Sequence, residues 1–256
     1  MSGSKERNGL AGTTVIHQNG KPPQSVATGT QSMAEYRAIA RKKLLPQGYS
    51  GYMHLFYLFG TCTAIMSICV WWMERLTWLD WLSIPVFMSI ANAYEYAVHR
   101  YPGHVTLSPQ PFRYFHKSHT GLHHRFFTYE NFQPDLGHVD YYFALFPLRV
   151  YATWFLTATL PVTLVGRYYL PWNICLIAAC VGSFYLVLYE VLHSYAHESL
   201  PRAMLSVVSY IPGADFVREH HRLHHHPRLM TSCNFNLTFP LTDWLVGTLV
   251  TKLPAS

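Results

Sequence analysis

At 256 residues the chain can form one medium-sized domain or a small membrane protein. Its composition, 50% hydrophobic and 12% charged, favours the second, because soluble domains carry about 25% charged residues. The net charge of +6 does not signal a nucleic-acid partner, since no basic run exceeds Arg41-Lys42-Lys43 and the other positive residues stand singly among apolar segments.

Taken in chain order, the first 35 or so residues are rich in Gly, Ser, Thr, Gln and Asn and read as a disordered polar tail, with no apolar core near the start to make a secretory signal. Leu55 to Met73 then runs without a charge, about the length a spanning helix needs. Further apolar runs extend from Trp78 to Val98, from about Val150 to Gly166, and from Pro171 to Leu192. Trp71, Trp72, Trp78, Trp81 and Trp172 sit at run ends, where an interfacial aromatic belt would place them. Cys62, Cys69, Cys175 and Cys180 fall inside apolar runs and only Cys233 lies outside; with no C-x-x-C pair, neither disulfides nor a zinc finger are expected.

Four spans with a cytosolic N-terminus leave Glu74 to Thr77 and Arg167 to Leu170 outside. These loops hold two positive residues, Arg75 and Arg167, against seventeen elsewhere, as the positive-inside rule requires. The spans then form two hairpins that return the chain to the cytosol just before His99 and just before His193.

Histidines follow each return in a repeated order. The first hairpin leaves as YEYAVHRYPGH (Tyr94 to His104) and continues to HKSHTGLHH (His116 to His124). The second leaves as YEVLHSYAH (Tyr189 to His197) and continues to HHRLHHH (His220 to His226). These stretches hold thirteen of the sixteen histidines, while His17, His54 and His138 read as ordinary surface or core residues. Neutral imidazole is a good ligand for iron, zinc and copper. His193 and His197, four apart, share a helix face and can address one metal. His221 and His224 share another, from which His225 is turned by about 100° toward a possible second metal. About ten ligands exceed what one ion uses, so a dinuclear site is expected. Glu95 and Glu190, near the cytosolic span ends, are candidates to hydrogen-bond a ligand histidine, against the plainer reading that they snorkel to the interface. A metal transporter would instead place its acidic and histidine residues along a path near mid-bilayer.

The order H-x4-H (His99, His104), H-x3-H-H (His119, His123, His124), H-x3-H (His193, His197) and H-x2-H-H (His221, His224, His225), around four spans, resembles the fatty acid hydroxylase and sterol desaturase superfamily. The ending NFNLTFPLTDWLVGT (Asn234 to Thr248) is also similar to that family's tail. The resemblance covers about residues 50 to 250 and implies one domain from 36 to 256. That domain would be an all-α integral membrane fold: four transmembrane helices in two hairpins under a cytosolic helical cap that holds the metals. Thr120 stands where the second box often has its first histidine, so His119 or His116 takes that place; His116, His220 and His226 are additional candidate ligands.

What the resemblance implies about activity is specific. Two iron ions, with zinc as a possible substitute, would use molecular oxygen to oxidise an unactivated C–H bond of a bilayer lipid, by hydroxylation or desaturation. A sterol or carotenoid substrate is the alternative. Electrons would come from an external donor, a separate reductase or b-type cytochrome. The location would be the endoplasmic reticulum in a eukaryote or the inner membrane in a bacterium.

Overall fold

The computed structural model describes residues 32–107, 110 and 112–253; the expected polar tail and His17 lie outside them, apart from the tail's last few residues. Those residues are not irregular. Helix α1 (Met33–Leu44) starts inside the expected tail because Ser32 and Glu35 form a capping box: the Ser32 hydroxyl accepts from the Glu35 N–H and the Glu35 carboxylate accepts from the Ser32 N–H. Arg41, Lys42 and Lys43 in its last turn suit the negative end of the helix dipole.

All described regular structure is helical. After α2 (Gly51–Trp72) and α3 (Trp78–Val98), a π-helical turn, His99–Gly103, leads to α4 (Phe112–Ser118). A second π-turn, His119–His123, runs into the short α5 (His124–Phe126). A 3-10 turn, Gly137–Val139, precedes α6 (Tyr141–Ala144), then α7 (Leu148–Trp154), a π-helical stretch Phe155–Thr159, and α8 (Leu160–Gly166). Helix α9 (Trp172–Ala196) is the longest, followed by α10 (Arg202–Ser209), α11 (Ala214–His224) and α12 (Leu241–Val246).

Among the described residues, three segments are long and apolar enough to cross a membrane: Gly51–Trp72, Gly137–Gly166 and Trp172–Ala196. Their most apolar windows are 28%, 12% and 61% buried, which makes α9 the central post and leaves the other two facing outward. Helix α9 packs against α2, α3, α8 and α11. The third expected span is not one straight helix: the chain leaves helical geometry at Leu145–Pro147 and rewinds as a π-helix at Phe155–Thr159.

Helix α3, the second expected span, is not among the three. At 21 residues it is long enough, but Asp80, Asn92 and Glu95 lower its apolar content. All three side chains are buried and paired. Asn92 donates to Tyr185 (3.1 Å) and to the Phe239 carbonyl (2.8 Å), while Asp80 accepts from the N–H and hydroxyl of Thr77 (2.7 and 2.8 Å). The outer face of α3 carries exposed Leu79, Trp81, Leu82, Val86 and Ile90. At the other end of the bundle from the histidines, the Glu74 N–H donates to Asn173 (3.0 Å), tying the turn after α2 to the start of α9. Trp71, Trp72, Trp78, Tyr168 and Tyr169 are exposed around those turns, and all five cysteines are free.

Candidate metal centre

Two adjacent groups of buried imidazoles lie beyond the ends of α3 and α9. In the first, ligand nitrogens of His99, His104, His119, His124 and His224 lie within 4.8 Å of one another; in the second, those of His123, His197, His221 and His225 do the same. The groups abut, with the rings of His124 and His225 stacked at 4.1 Å between centroids. His193 belongs to neither by this measure, yet its Nε2 is 3.2 Å from that of His123.

Local backbone geometry explains the sorting. On an α-helix, residues five apart are turned about 140° from one another. The two π-turns, with their wider i→i+5 winding, bring such pairs to the same side: His99 with His104, and His119 with His124, whose Nε2 atoms are 3.1 Å apart. Gly103 permits the first turn to close, since a Cβ there would sit 3.3 Å from the His119 ring. On α11 the expected pairing of His221 with His224 is corrected. Four-residue spacing sets His221 beside His225, Nε2 atoms 3.1 Å apart, and His224 turns to the first group, 3.0 Å from His104.

The rings are held by backbone carbonyls. Nδ1–H donates from His99 to Phe235 (2.5 Å), from His123 to Phe143 (2.8 Å), from His197 to Phe132 (2.9 Å), from His224 to Cys233 (2.8 Å) and from His225 to Phe127 (2.6 Å). His104 uses Thr120: that hydroxyl gives its proton to the Gly103 carbonyl at 2.6 Å, so its oxygen accepts from His104 Nδ1–H at 3.2 Å. A carbonyl only accepts, so each of these Nδ1 atoms carries the proton and each Nε2 presents a bare lone pair.

Those lone pairs have no proton to share between them. His104 and His224 both present unprotonated Nε2 at 3.0 Å, so no neutral tautomer makes their contact a hydrogen bond. Doubly protonated rings are disfavoured as well. Burial first, then neighbouring imidazoles, hold His119, His124, His221 and His224 well below the usual histidine range. The same causes hold His104 at about 2. His99 and His123 are held at about 4 by burial, against the opposing pull of their carbonyl partners. The buried His99 Nε2 has no hydrogen-bond partner either. Converging neutral donors that cannot hydrogen-bond one another fit a cation.

The remaining candidates fall outside both groups. His116 donates to the Gly103 carbonyl (3.1 Å), and His226 packs on Tyr129 and accepts the Arg228 N–H (3.2 Å). His220 is buried with Nε2 3.6 Å from Asp243. Burial raises the Asp243 carboxyl, but His220, the Thr248 hydroxyl and the N–H groups of Asn236 and Phe235 together hold it below the ordinary range. This carboxylate thereby fixes the segment whose Phe235 carbonyl orients His99. His54 sits between Tyr49 (3.0 Å) and Tyr151 (3.4 Å), and His138 packs on Tyr52, so both are structural.

The hydrogen bonds of both acidic candidates go to groups other than histidines. Glu95 accepts from the Thr238 hydroxyl (2.7 Å), from Tyr185 and from the N–H of Leu237; Glu190 accepts from the Phe146 N–H (3.1 Å). Nor do they snorkel, being 3% and 0% exposed. Each holds the backbone of a loop, Glu95 at Leu237 and Glu190 at Phe146. No sequence signal marks Phe127, Phe132, Phe143, Cys233 and Phe235 as ring-orienting positions, because they act through main-chain carbonyls. No protein family, curated protein or solved structure matches the chain.

Proposed function

We propose that the chain is a membrane-embedded metalloenzyme whose two histidine groups each hold one metal ion. The observation that carries this is the convergence of nine buried imidazole nitrogens, sorted into two abutting sets. More particularly, we infer a di-iron oxygenase that hydroxylates a lipid. Five nitrogens in one set exceed the four ligands of an ordinary structural zinc site. With metal–nitrogen bonds of about 2.1 Å, neighbouring ligands lie roughly 3.0 Å apart on an octahedral ion and roughly 3.4 Å apart on a tetrahedral one. Neighbouring Nε2 atoms 3.0 to 3.1 Å apart are close enough to share one ion of either geometry. Bound there, two irons fed electrons by a separate reductase or b-type cytochrome supply oxidation of an unactivated C–H bond by molecular oxygen.

The protein's own part is to hold, orient and keep water away. The carbonyl-bound rings are aimed before metal arrives, which lowers the reorganisation that binding requires. An apolar cavity lined by Val98, His99, Phe115, Phe146, Trp154 and Leu186 borders the first group at His99. A second cleft, of about 500 Å³ between α2 and the α7 region, shares Trp154 and Leu186 with it. That adjacency supports a hydrocarbon substrate arriving laterally from the bilayer. In this reading α3 is the fourth span, since its polar residues face inward and are paired, and the histidine groups lie on the cytosolic side.

The test is isotopic. Membranes expressing the protein, given a reductase system and ¹⁸O₂, should yield a lipid alcohol carrying the label, lost when His104 or His197 is changed to Ala. A new alkene in place of the alcohol would make the reaction a desaturation of the same class. Absence of any oxygen-dependent lipid product, or products unchanged in both variants, contradicts the reading.

A further inference from the structure

Helix α1 carries two arginines that face the protein interior. Arg37 is 2% exposed, and a guanidinium so buried is costly unless its donors are used. Its Nε donates to the Phe126 carbonyl (2.9 Å), one terminal nitrogen to the Asn131 carbonyl (2.7 Å) and the other to Asp135. Its charge also lies 5.0 Å from the centre of the Phe126 ring. One turn later, Arg41 grips Asp140 with two hydrogen bonds, of 2.7 and 2.8 Å. Asp140 in turn accepts the N–H groups of Asp135 (3.0 Å) and Leu136 (2.9 Å). The two arginines thus fasten the loop from Phe126 to Asp140 at both ends.

That loop supplies the carbonyl of Phe127 to His225 and the carbonyl of Phe132 to His197. These are two of the four rings of the second histidine group. In the first group, His99 and His224 lean on carbonyls of a different segment, Cys233 and Phe235, where Asp243 and Asn234 provide the anchors. The clasp from α1 therefore holds the loop with two ring-orienting carbonyls of the second group, and neither of the carbonyls that orient His99 and His224 in the first.

We propose that Arg37 and Arg41 are positioning residues for one of the two metals. By fixing the Phe127 and Phe132 carbonyls they keep His225 and His197 in the tautomer and direction that present Nε2 to an ion in the second group. The proposal rests on the dinuclear reading above and adds that the two sites depend differently on the N-terminal helix. Lysine cannot replace Arg37, because only a planar fork reaches two carbonyls and a carboxylate together.

The experiment uses the full-length protein in detergent, loaded with cobalt(II) as the probe and dialysed against graded chelator, with cobalt per chain measured by elemental analysis. In Arg37→Gln, one of two ions should be lost at about tenfold lower chelator, the scale on which supporting hydrogen bonds act on a metal ligand. The other ion should hold as in the wild type. Asp135→Asn, a half-exposed change that leaves both carbonyl contacts of Arg37 in place, should shift the same single ion by less. Equal loosening of both ions in the variants would mean a general packing role and would overturn the proposal, as would two ions held unchanged. A wild-type chain holding fewer than two ions would overturn the dinuclear reading itself, and the clasp with it.

Discussion

At the scale of single residues, the site is set by where protons are kept from going. Once Nδ1–H is committed to a carbonyl, as in His99, His123, His197, His224 and His225, the only free atom is Nε2, and burial keeps it unprotonated. This has a consequence for pH. An unfolded histidine titrates near 6.5, whereas His99 and His123 are held at about 4 and His104 at about 2. The unfolded chain therefore binds more protons than the folded one below about pH 6.5, and stability rises with pH through that window. The contribution is fully present above about pH 6.5 and is lost as the pH falls toward the folded values. The metal-free protein should keep a constant melting temperature from about pH 8 to about pH 7 and lose stability steeply between about pH 6 and about pH 4. Melting curves in chelator at stepped pH check this, and a flat profile down to about pH 4 would contradict the assignment of neutral, buried rings.

At the scale of elements, close approach matters as much as hydrophobic pattern. Gly51 opens α2 against the segment carrying His138 and Tyr141, where a Cβ would clash with the His138 carbonyl oxygen. Because that neighbour is backbone, Gly51→Ala must push α2 away and should destabilise the protein by about 1–3 kcal/mol. Thermal unfolding of the variant in detergent measures it, and a wild-type midpoint would refute the contact. The same scale shows what the sequence could and could not reveal. The apolar runs from Leu55, Val150 and Pro171 are legible because burial in lipid demands about twenty apolar residues in a row. The i, i+5 pairs are legible as candidate ligands but not as partners, since His99 and His104 converge only once the backbone winds as a π-turn. The grouping of His221 with His225 was available from four-residue spacing alone. Helix α1 is hidden for another reason: it is too polar to read as a span, and what holds it is the pairing of Arg37 and Arg41 with Asp135 and Asp140, about a hundred residues away.

At the scale of the whole molecule, one helix organises everything else. Helix α9 is buried along most of its length, carries Tyr185 and Glu190 into internal hydrogen bonds, and holds His193 in its last turn, with His197 just beyond its end. Elements from both halves of the chain wrap its histidine-bearing end, so the two groups mix their sources: His224 joins four histidines of the first half, and His123 joins three of the second. The repeated pattern in the sequence thus does not become one histidine group per half. This interleaving makes the metal count a sensitive probe of the fold, because His224 and His225 are neighbours in sequence but belong to different groups. The most direct measurement is therefore the iron content of detergent-purified protein beside the His224→Ala, His225→Ala and double variants. Two irons per chain, falling toward one in each single variant and toward none in the double, is the result predicted here. One ion or none in the wild type, or a content the double variant leaves unchanged, would show that these histidines do not build a dinuclear centre.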